Sequence, residues 1–218
     1  DKMEMLADKG NGNYAYIDQL SEARKVLVSE FGGTLFTIAK DVKIQLEFDP
    51  AFVQSYRLIG YENRLLNKED FRDDTKDAGE LGAGHTITAL YEIVPASGFT
   101  RNPSAGMLRL RYKAPDSGSS QEIAQALGAS PNSFGQSSVN LRWAAAVAEF
   151  SMLLKDSDHK GNASYEQCAQ LARQAQGRDP FGYRREMIER MGKAQGLATA
   201  VAEEEKYKVL WAVGLLGK

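Results

Sequence analysis

The sequence is poor in the residues that build disulfides and transition-metal sites. It contains a single cysteine, Cys168, and two histidines, His85 and His159. One cysteine excludes an internal disulfide, and a helical pattern without a nearby histidine predicts that Cys168 is a buried, unreactive thiol. Zinc sites need Cys and His ligands at close, regular spacing, which this sequence does not have. The sequence therefore predicts neither a disulfide-stabilised fold nor a zinc site.

Long apolar runs and an excess of basic charge are also missing. No apolar stretch approaches the ~18 residues that a membrane-spanning helix needs, and no segment has the pattern of a signal peptide. The 27 basic and 29 acidic residues give a formal net charge of −2. Without a basic stripe, a nucleic-acid-binding surface is not expected. The 43% of hydrophobic residues is enough to bury a core in one large domain or two small ones.

The first 33 residues have the pattern of a helix, a strand and a second helix. Residues 3–9 predict a helix that Gly10 ends, and residues 14–17 predict a short strand. Residues 20–31 predict the second helix, with Ser21 as its cap and Gly32-Gly33 as its end. This order is one unit of an α/β domain, and one unit cannot bury both faces of its strand. We therefore expect residues 1–33 to depend on protein outside this sequence.

Residues 34–114 change to an alternating pattern. Val42, Ile44, Leu46 and Phe48 alternate with polar residues, which is typical of a strand with one buried face. A break at Lys40-Asp41 would divide this strand in two. A polar connection is predicted at 63–84, and three further strands at 53–61, 85–94 and 106–112. The sequence therefore predicts an α+β fold with a small antiparallel β-sandwich over residues 34–114.

The rest of the sequence predicts a linker or loop at 115–137 and a helical region at 138–218. Residues 121–127 have the composition of a short helix within the linker. The helical region starts at Ser138, and Ser164 with Gln167 forms a capping box for a second helix. Asp179-Pro180 predicts the start of a third helix. A closing helix is predicted at 194–218, and its apolar end is expected to need a partner surface.

Three segments contain residues of the types used in phosphate binding, metal binding or catalysis. His85 follows Gly82-Ala83-Gly84, but this turn leads into a predicted strand, whereas a phosphate loop leads into a helix. His159 lies in the segment 156–161, which lacks the ligand spacing of a calcium loop. The acidic segment 69–80 could bind a divalent cation, but its own basic residues favour a solvated, internally paired loop. No catalytic, cofactor-binding or metal-binding residue is therefore assigned.

Several long motifs are similar to one known family. Residues 7–14 and 23–27 resemble the last strand and helix of a von Willebrand factor A (vWA) domain. Residues 56–64, 73–80 and 84–92 resemble the C-terminal region of bacterial vWA proteins of the YfbK type. The resemblance covers about residues 1–193 and identifies 1–33 as the remnant of a vWA domain.

The resemblance implies a metal-dependent vWA domain on the N-terminal side of this sequence. Such a domain binds its cation through an Asp-x-Ser-x-Ser loop, and neither Asp156-Ser157-Asp158 nor Asp116-Ser117-Gly118 fits that pattern. A divalent cation is therefore implied for the missing part, and no cofactor is expected in this chain. The family also implies a place in the cell envelope, periplasmic or extracellular.

These points favour a non-catalytic interaction or scaffolding module that accompanies a vWA adhesion domain. Its expected partners are proteins of unknown identity, together with intramolecular packing on the vWA domain. Two other hypotheses stay open. One is a metal-dependent hydrolase that uses residues 69–80 and His85, and the other is a module that binds an extended peptide by adding a strand to a sheet edge.

Overall fold

The computed structural model describes residues 2–10, 14–60, 66–97, 104–128 and 133–216, and from 202 onward it describes the backbone alone. The chain divides into two compact units, Asp1–Pro131 and Asn132–Lys218. The sequence predicted segment boundaries near residues 33, 114 and 137. The first unit carries the strands, and the second carries the three longest helical segments after residue 137.

Six strands are found among the described residues of the first unit, and they form two antiparallel sheets. The larger sheet has the order β3-β1-β5-β6, and the smaller one pairs β2 with β4. This confirms a mixed fold with two antiparallel sheets. The strands are β1 (Thr37–Phe48), β2 (Val53–Ile59), β3 (Gly79–Gly82), β4 (Leu90–Pro95), β5 (Gly106–Lys113) and β6 (Ser120–Leu127).

A bulge at Asp41 interrupts the pairing of β1. The register of β1 shifts between Lys40 and Lys43 against β5, and again between Ala39 and Val42 against β3. Asp41 has a φ of 51°, in the left-handed region that aspartate tolerates better than most residues. The break that the sequence allowed at this point is therefore a bulge, and the strand continues through it.

The two sheets share a small apolar contact near the end of β1. The Phe48 ring lies 4.7 Å from the ring of Tyr56 on β2 and 5.9 Å from that of Tyr91 on β4, measured between centroids. Phe52, Val53 and Ala105 form the buried cluster beside this contact. Ala39 and Phe71 are the other buried apolar residues described in the first unit, and both lie outside this cluster.

The N-terminal segment differs from its predicted helix–strand–helix pattern. The first helix is confirmed as α1 (Lys2–Lys9), but residues 14–18 do not pair with any described strand. The second helix is broken into α2 (Leu20–Arg24), a π-helical turn and α3 (Phe31–Leu35). Ser21 is not its cap, since Gln19 holds that position without a side-chain hydrogen bond, and Gly32-Gly33 lies inside α3.

Three other predictions for the first unit were wrong. The predicted linker and short helix at 121–127 is the strand β6, because pairing with β5 outweighs local helix propensity. The connection at 63–84 contains a 3-10 helix at Lys68–Arg72 and the strand β3. The strand predicted at 85–94 starts at Leu90, where its partner β2 ends.

Helices form the second unit, as the sequence predicts. They are α4 (Val139–Leu154), α5 (Tyr165–Gln174) and α6 (Tyr183–Leu216). Ser138 caps α4 and Ser164 caps α5, each accepting a hydrogen bond from the amide three residues on. The third helix begins at Tyr183 rather than at Pro180 and includes the predicted closing helix. Among the described residues, no helix is both long and apolar enough to span a bilayer.

The helices enclose one apolar core, and Arg184 joins their ends. The core consists of buried residues from all three helices: Ala146, Phe150, Cys168, Ala169, Ala172, Ile188 and Met191. The guanidinium of Arg184 lies 5.0 Å from the centre of the Trp143 ring. It also donates to the carbonyl of Gln176 at 3.0 Å and to Oδ1 of Asn140 at 2.8 Å. One side chain therefore ties the start of α6 to α4 and to the end of α5.

Replacing Arg184 with alanine is expected to lower the free energy of unfolding of the second unit by about 1–3 kcal/mol, because carbonyl acceptors lose a charged donor. Arg178→Ala removes an exposed arginine from the same unit and should change it little. Urea unfolding followed by tryptophan fluorescence measures both. Equal effects of the two substitutions would contradict the role given to Arg184.

Candidate functional site

A buried ammonium group lies at the centre of the polar face of the larger sheet. The side chain of Lys43 on β1 is 3% exposed and is the buried charged residue among the described residues. Its Nζ donates to the main-chain carbonyls of Asp73 at 2.5 Å and Asp70 at 3.4 Å. Lys43 thus puts a positive charge inside the acidic loop, which we define as residues 66–78. The loop is fastened to the sheet through its backbone.

The carboxylate of Asp74 fastens the same loop to β5 and β6. Arg111 donates to both of its oxygens, at 3.0 and 3.1 Å, and Ser120 donates to Oδ1 at 2.5 Å. Lys113 donates to the main-chain carbonyl of Asp74 at 3.1 Å. The hydrogen bond from Ser120, followed by that from Arg111, lowers the pKa of Asp74. Asp74 is therefore held as a carboxylate by neighbouring strands.

Glu122 on β6 is the second acidic centre of this face. Arg109 reaches it at 3.1 Å, Arg72 of the loop at 3.6 Å and Arg111 at 3.9 Å. Arg109 also pairs with Glu47 on β1 at 3.3 Å. The hydrogen bond from Glu122, with that from Glu47, raises the pKa of Arg109. The ionic groups form a connected network across three strands.

The bulge at Asp41 contributes a further ion pair. Lys113 Nζ lies 2.7 Å from Oδ2 of Asp41, and the amide of Ala78 donates to Oδ1 at 3.3 Å. Burial by itself would raise the pKa of Asp41, but these hydrogen bonds outweigh it, so the pKa is lowered. The bulge therefore turns a carboxylate towards the end of the acidic loop.

Two further aspartates of the acidic loop are also paired. Asp73 accepts from the amide and hydroxyl of Thr75, and these bonds lower its pKa. Asp70 lies 3.8 Å from Lys76. This agrees with the internally paired loop that the sequence favoured, although most of its cations come from β1 and β5. Across the described residues, no group of three or more His, Cys, Asp or Glu side chains is placed to hold a metal ion.

The structure does not bring His85 to the aspartates of the acidic loop. The His85 ring lies against Gly33, and its amide donates to the carbonyl of Gly82 at 3.1 Å. Gly82 pairs with Thr37, six residues along β1 from Lys43. At about 3.3 Å per strand residue, this separation is roughly 20 Å. The aspartates of the hydrolase hypothesis therefore lie far from His85 along β1. Glu80, of the same acidic segment, lies at the His85 end, where it accepts a hydrogen bond from Thr37 at 3.2 Å.

The other two candidate side chains have ordinary structural settings. His159 is exposed in the turn after α4, beside the ion pair of Asp156 and Lys160. Cys168 is fully buried in the helical core, as the sequence predicts. Burial, with a smaller contribution from Glu149, raises the pKa of the Cys168 thiol to about 11. The thiol is therefore un-ionised at neutral pH and is not an activated nucleophile.

The opposite face of the larger sheet is apolar and partly open. Ile44 on β1 pairs with Leu110 on β5, which pairs with Ile123 on β6, so their side chains form one row. Ile44 is 41% exposed and Ile123 is 52% exposed. The alternating pattern predicted this apolar face, but sequence alone could not show that it stays incompletely covered.

A second apolar surface follows the N-terminal segment. We define the apolar segment as residues 14–38. Its large apolar side chains are exposed, with Leu20 at 85% and Tyr16 at 73%, and the same holds for Tyr14, Ile17, Leu27, Val28, Phe31, Leu35, Phe36 and Ile38. Surfaces of this kind mark sites of protein contact. The sequence signal for it was a single helix–strand–helix unit, which cannot bury both faces of its strand.

Fold and surface together define a class: a two-unit α and β module with an ionic network on one sheet face and exposed apolar side chains on the other face and along residues 14–38. Similarity to known proteins assigns the chain to one family. The family model described as "Uncharacterized protein YfbK, C-terminal" matches residues 33–105 and 99–197, and the chain belongs to that family. The YfbK-type resemblance is thereby confirmed; the vWA domain itself is not part of this match.

A curated relative supports the same family. The "Uncharacterized protein YfbK" of Escherichia coli (strain K12) is 42% identical over 212 residues, covering 89% of this chain. The match spans 36% of the relative's own length, so the chain corresponds to about a third of that protein. No solved structure matches the chain.

Lys43→Met keeps most of the side-chain volume but removes the ammonium group. Two main-chain carbonyls then lose their donor, so we expect the free energy of unfolding of the first unit to fall by about 1–3 kcal/mol. Hydrogen exchange of residues 66–78 should become faster. Lys40→Met, at an exposed position of the same strand, is the control. Unchanged exchange in Lys43→Met would show that the ammonium does not hold the loop.

Acid should weaken the attachment of the loop through Asp74. Its pKa is lowered from 3.8 in the folded state, so the stabilisation is present above about pH 4 and is lost as the pH falls through the lowered pKa. Asp74→Asn should therefore exchange faster than the wild type over residues 66–78 near about pH 6, with a smaller difference near about pH 3.

The comparison is made between variants at the same pH, because intrinsic exchange rates depend on pH. Asp116→Asn makes the same charge change at an exposed turn position and should follow the wild type at both pH values. A difference between Asp74→Asn and wild type that grows on acidification would reverse the expected sign and contradict the assignment.

Proposed function

We propose that this chain is a non-catalytic interaction module of a longer cell-envelope protein. In this proposal it packs against a metal-dependent vWA adhesion domain on its N-terminal side and holds that domain's binding face in position. The divalent cation belongs to the vWA domain, and the module contributes surface rather than ligands.

The observation that carries the proposal is the exposure of the apolar segment. A helix whose apolar side chains face solvent gains little from folding, because burial of apolar surface is the main stabilising term. Leu20, Leu27, Val28 and Phe31 would each lose contact with water if a neighbouring domain covered this segment. Residues 7–14 and 23–27 resemble the end of a vWA domain, which indicates that the neighbouring domain is a vWA domain.

The length of the curated relative supports the same arrangement. The match covers 36% of that protein, so most of its chain lies outside the matched segment. Part of that remaining length is where the proposal puts the vWA domain.

The state of the ionic groups supports a binding role over a catalytic one. A general base or metal ligand needs a carboxylate that is available to substrate or cation. Asp73 and Asp74 instead accept hydrogen bonds from Thr75, Ser120 and Arg111. The acidic loop is thereby used for attachment to the sheet.

Two proteins are compared: this chain alone and the longer protein that the proposal requires. In the longer protein, residues 14–36 of the apolar segment are expected to exchange their amide hydrogens more slowly by a factor of about ten or more. The physical reason is burial of the apolar segment by the neighbouring domain. Hydrogen exchange with mass spectrometry on both proteins measures the difference. The coding sequence upstream of Asp1 should also contain an Asp-x-Ser-x-Ser motif.

Residues 165–174 serve as the internal control, because α5 is buried within its own helical core and should exchange equally in both proteins. Equal exchange of residues 14–36 in the two proteins would show that the segment is not an interface with the neighbouring domain.

A further inference from the structure

The strand β6 forms an edge of the larger sheet, and among the described residues no strand pairs with its outer side. It is eight residues long. Its sequence, Ser-Gln-Glu-Ile-Ala-Gln-Ala-Leu, contains no proline or lysine, the residues that commonly protect sheet edges. The opposite edge, β3, is only four residues long and has an irregular register. β6 is thus the less protected edge.

The backbone of β6 shows which of its groups point outward. The carbonyl of Leu127 accepts the amide of Ala105 at 2.7 Å, so it points towards the β5 side of the strand. Backbone groups alternate in direction along a strand. Those of Glu122, Ala124 and Ala126 therefore point away from β5. In agreement, the Ala126 carbonyl accepts a side-chain amide, that of Gln125, at 3.2 Å.

The side chains of β6 have a matching two-faced arrangement. On the apolar face, the row from Ile44 through Leu110 ends at Ile123, which is half exposed at the edge. On the polar face, the single charge of the strand, Glu122, already lies beside Arg109 and Arg111. The edge thus presents an apolar side chain at its centre and no unpaired charge.

We propose that two copies of this chain pair antiparallel along β6 about a twofold axis. In the register that puts Ile123 opposite Ile123 of the second copy, Glu122 faces Ala124 and Gln121 faces Gln125. Outward backbone groups then meet outward groups, the apolar faces of the two sheets join, and like charges do not face each other. Because β6 complements itself in this register, a second copy fits better than an unrelated peptide.

The sheet edge and the apolar segment are separate surfaces, so this inference does not rest on the proposed function. If the chain does not self-associate, the proposed docking of residues 14–36 on a neighbouring domain is not contradicted. If residues 14–36 do not dock on a neighbouring domain, the proposed pairing of β6 is not contradicted.

The test is sedimentation velocity of the whole chain over a range of concentrations. The wild type is expected to form dimers. Ile123→Lys and Ile123→Glu each place like charges opposite one another and should weaken dimer formation about tenfold or more. Mixing the two variants should restore dimers, because unlike charges then meet across the axis.

Ile44→Lys is the matched control, since it puts the same charge on the same apolar row but in an interior strand. It should dimerise like the wild type, and circular dichroism checks that all variants are folded. A monomeric wild type would overturn the proposal. The proposal would also be overturned if both Ile123 variants still formed dimers. It would likewise be overturned if Ile44→Lys abolished dimer formation while Ile123→Lys did not, since that result indicates contact between sheet faces.

Discussion

The buried ammonium of Lys43 is the constraint around which the first unit is organised. A charged group out of contact with water is unfavourable unless polar atoms replace its hydration. Here the carbonyls of Asp70 and Asp73 supply those atoms, so the acidic loop must close over β1. That closure brings Asp74 to Arg111 and Ser120 and so joins the loop to the outer strands. One sheet face is thereby occupied by the chain's own polar groups.

The bulge at Asp41 and the antiparallel order divide the sheet into two chemically different faces. Lys43, Arg111 and Glu122 share one row, and Ile44, Leu110 and Ile123 share the next. Ionic pairs satisfy the first face within the chain, whereas the second face retains exposed apolar area. Exposed apolar area of this kind favours association through apolar surface.

Features with strong local signals could be predicted from the sequence. The alternation from Val42 to Phe48 identified β1, and Ser138 and Ser164 identified the starts of two helices. The strand β6 could not be predicted in this way, because its alanine, glutamine and glutamate residues favour a helix and only the edge of β5 makes it a strand. The partners of the acidic loop were missed for the same reason, since Arg111 and Lys113 are distant in the sequence.

The location of Cys168 has a practical consequence. It is the chain's single thiol, it is fully buried between helices, and its raised pKa keeps it un-ionised. Alkylating reagents attack thiolates at accessible sulfur, so labelling of Cys168 requires the helices to separate. The rate of maleimide modification therefore reports opening of the second unit alone, with no signal from the strands. Cys168 is thus a built-in chemical probe of opening motions in the helical unit.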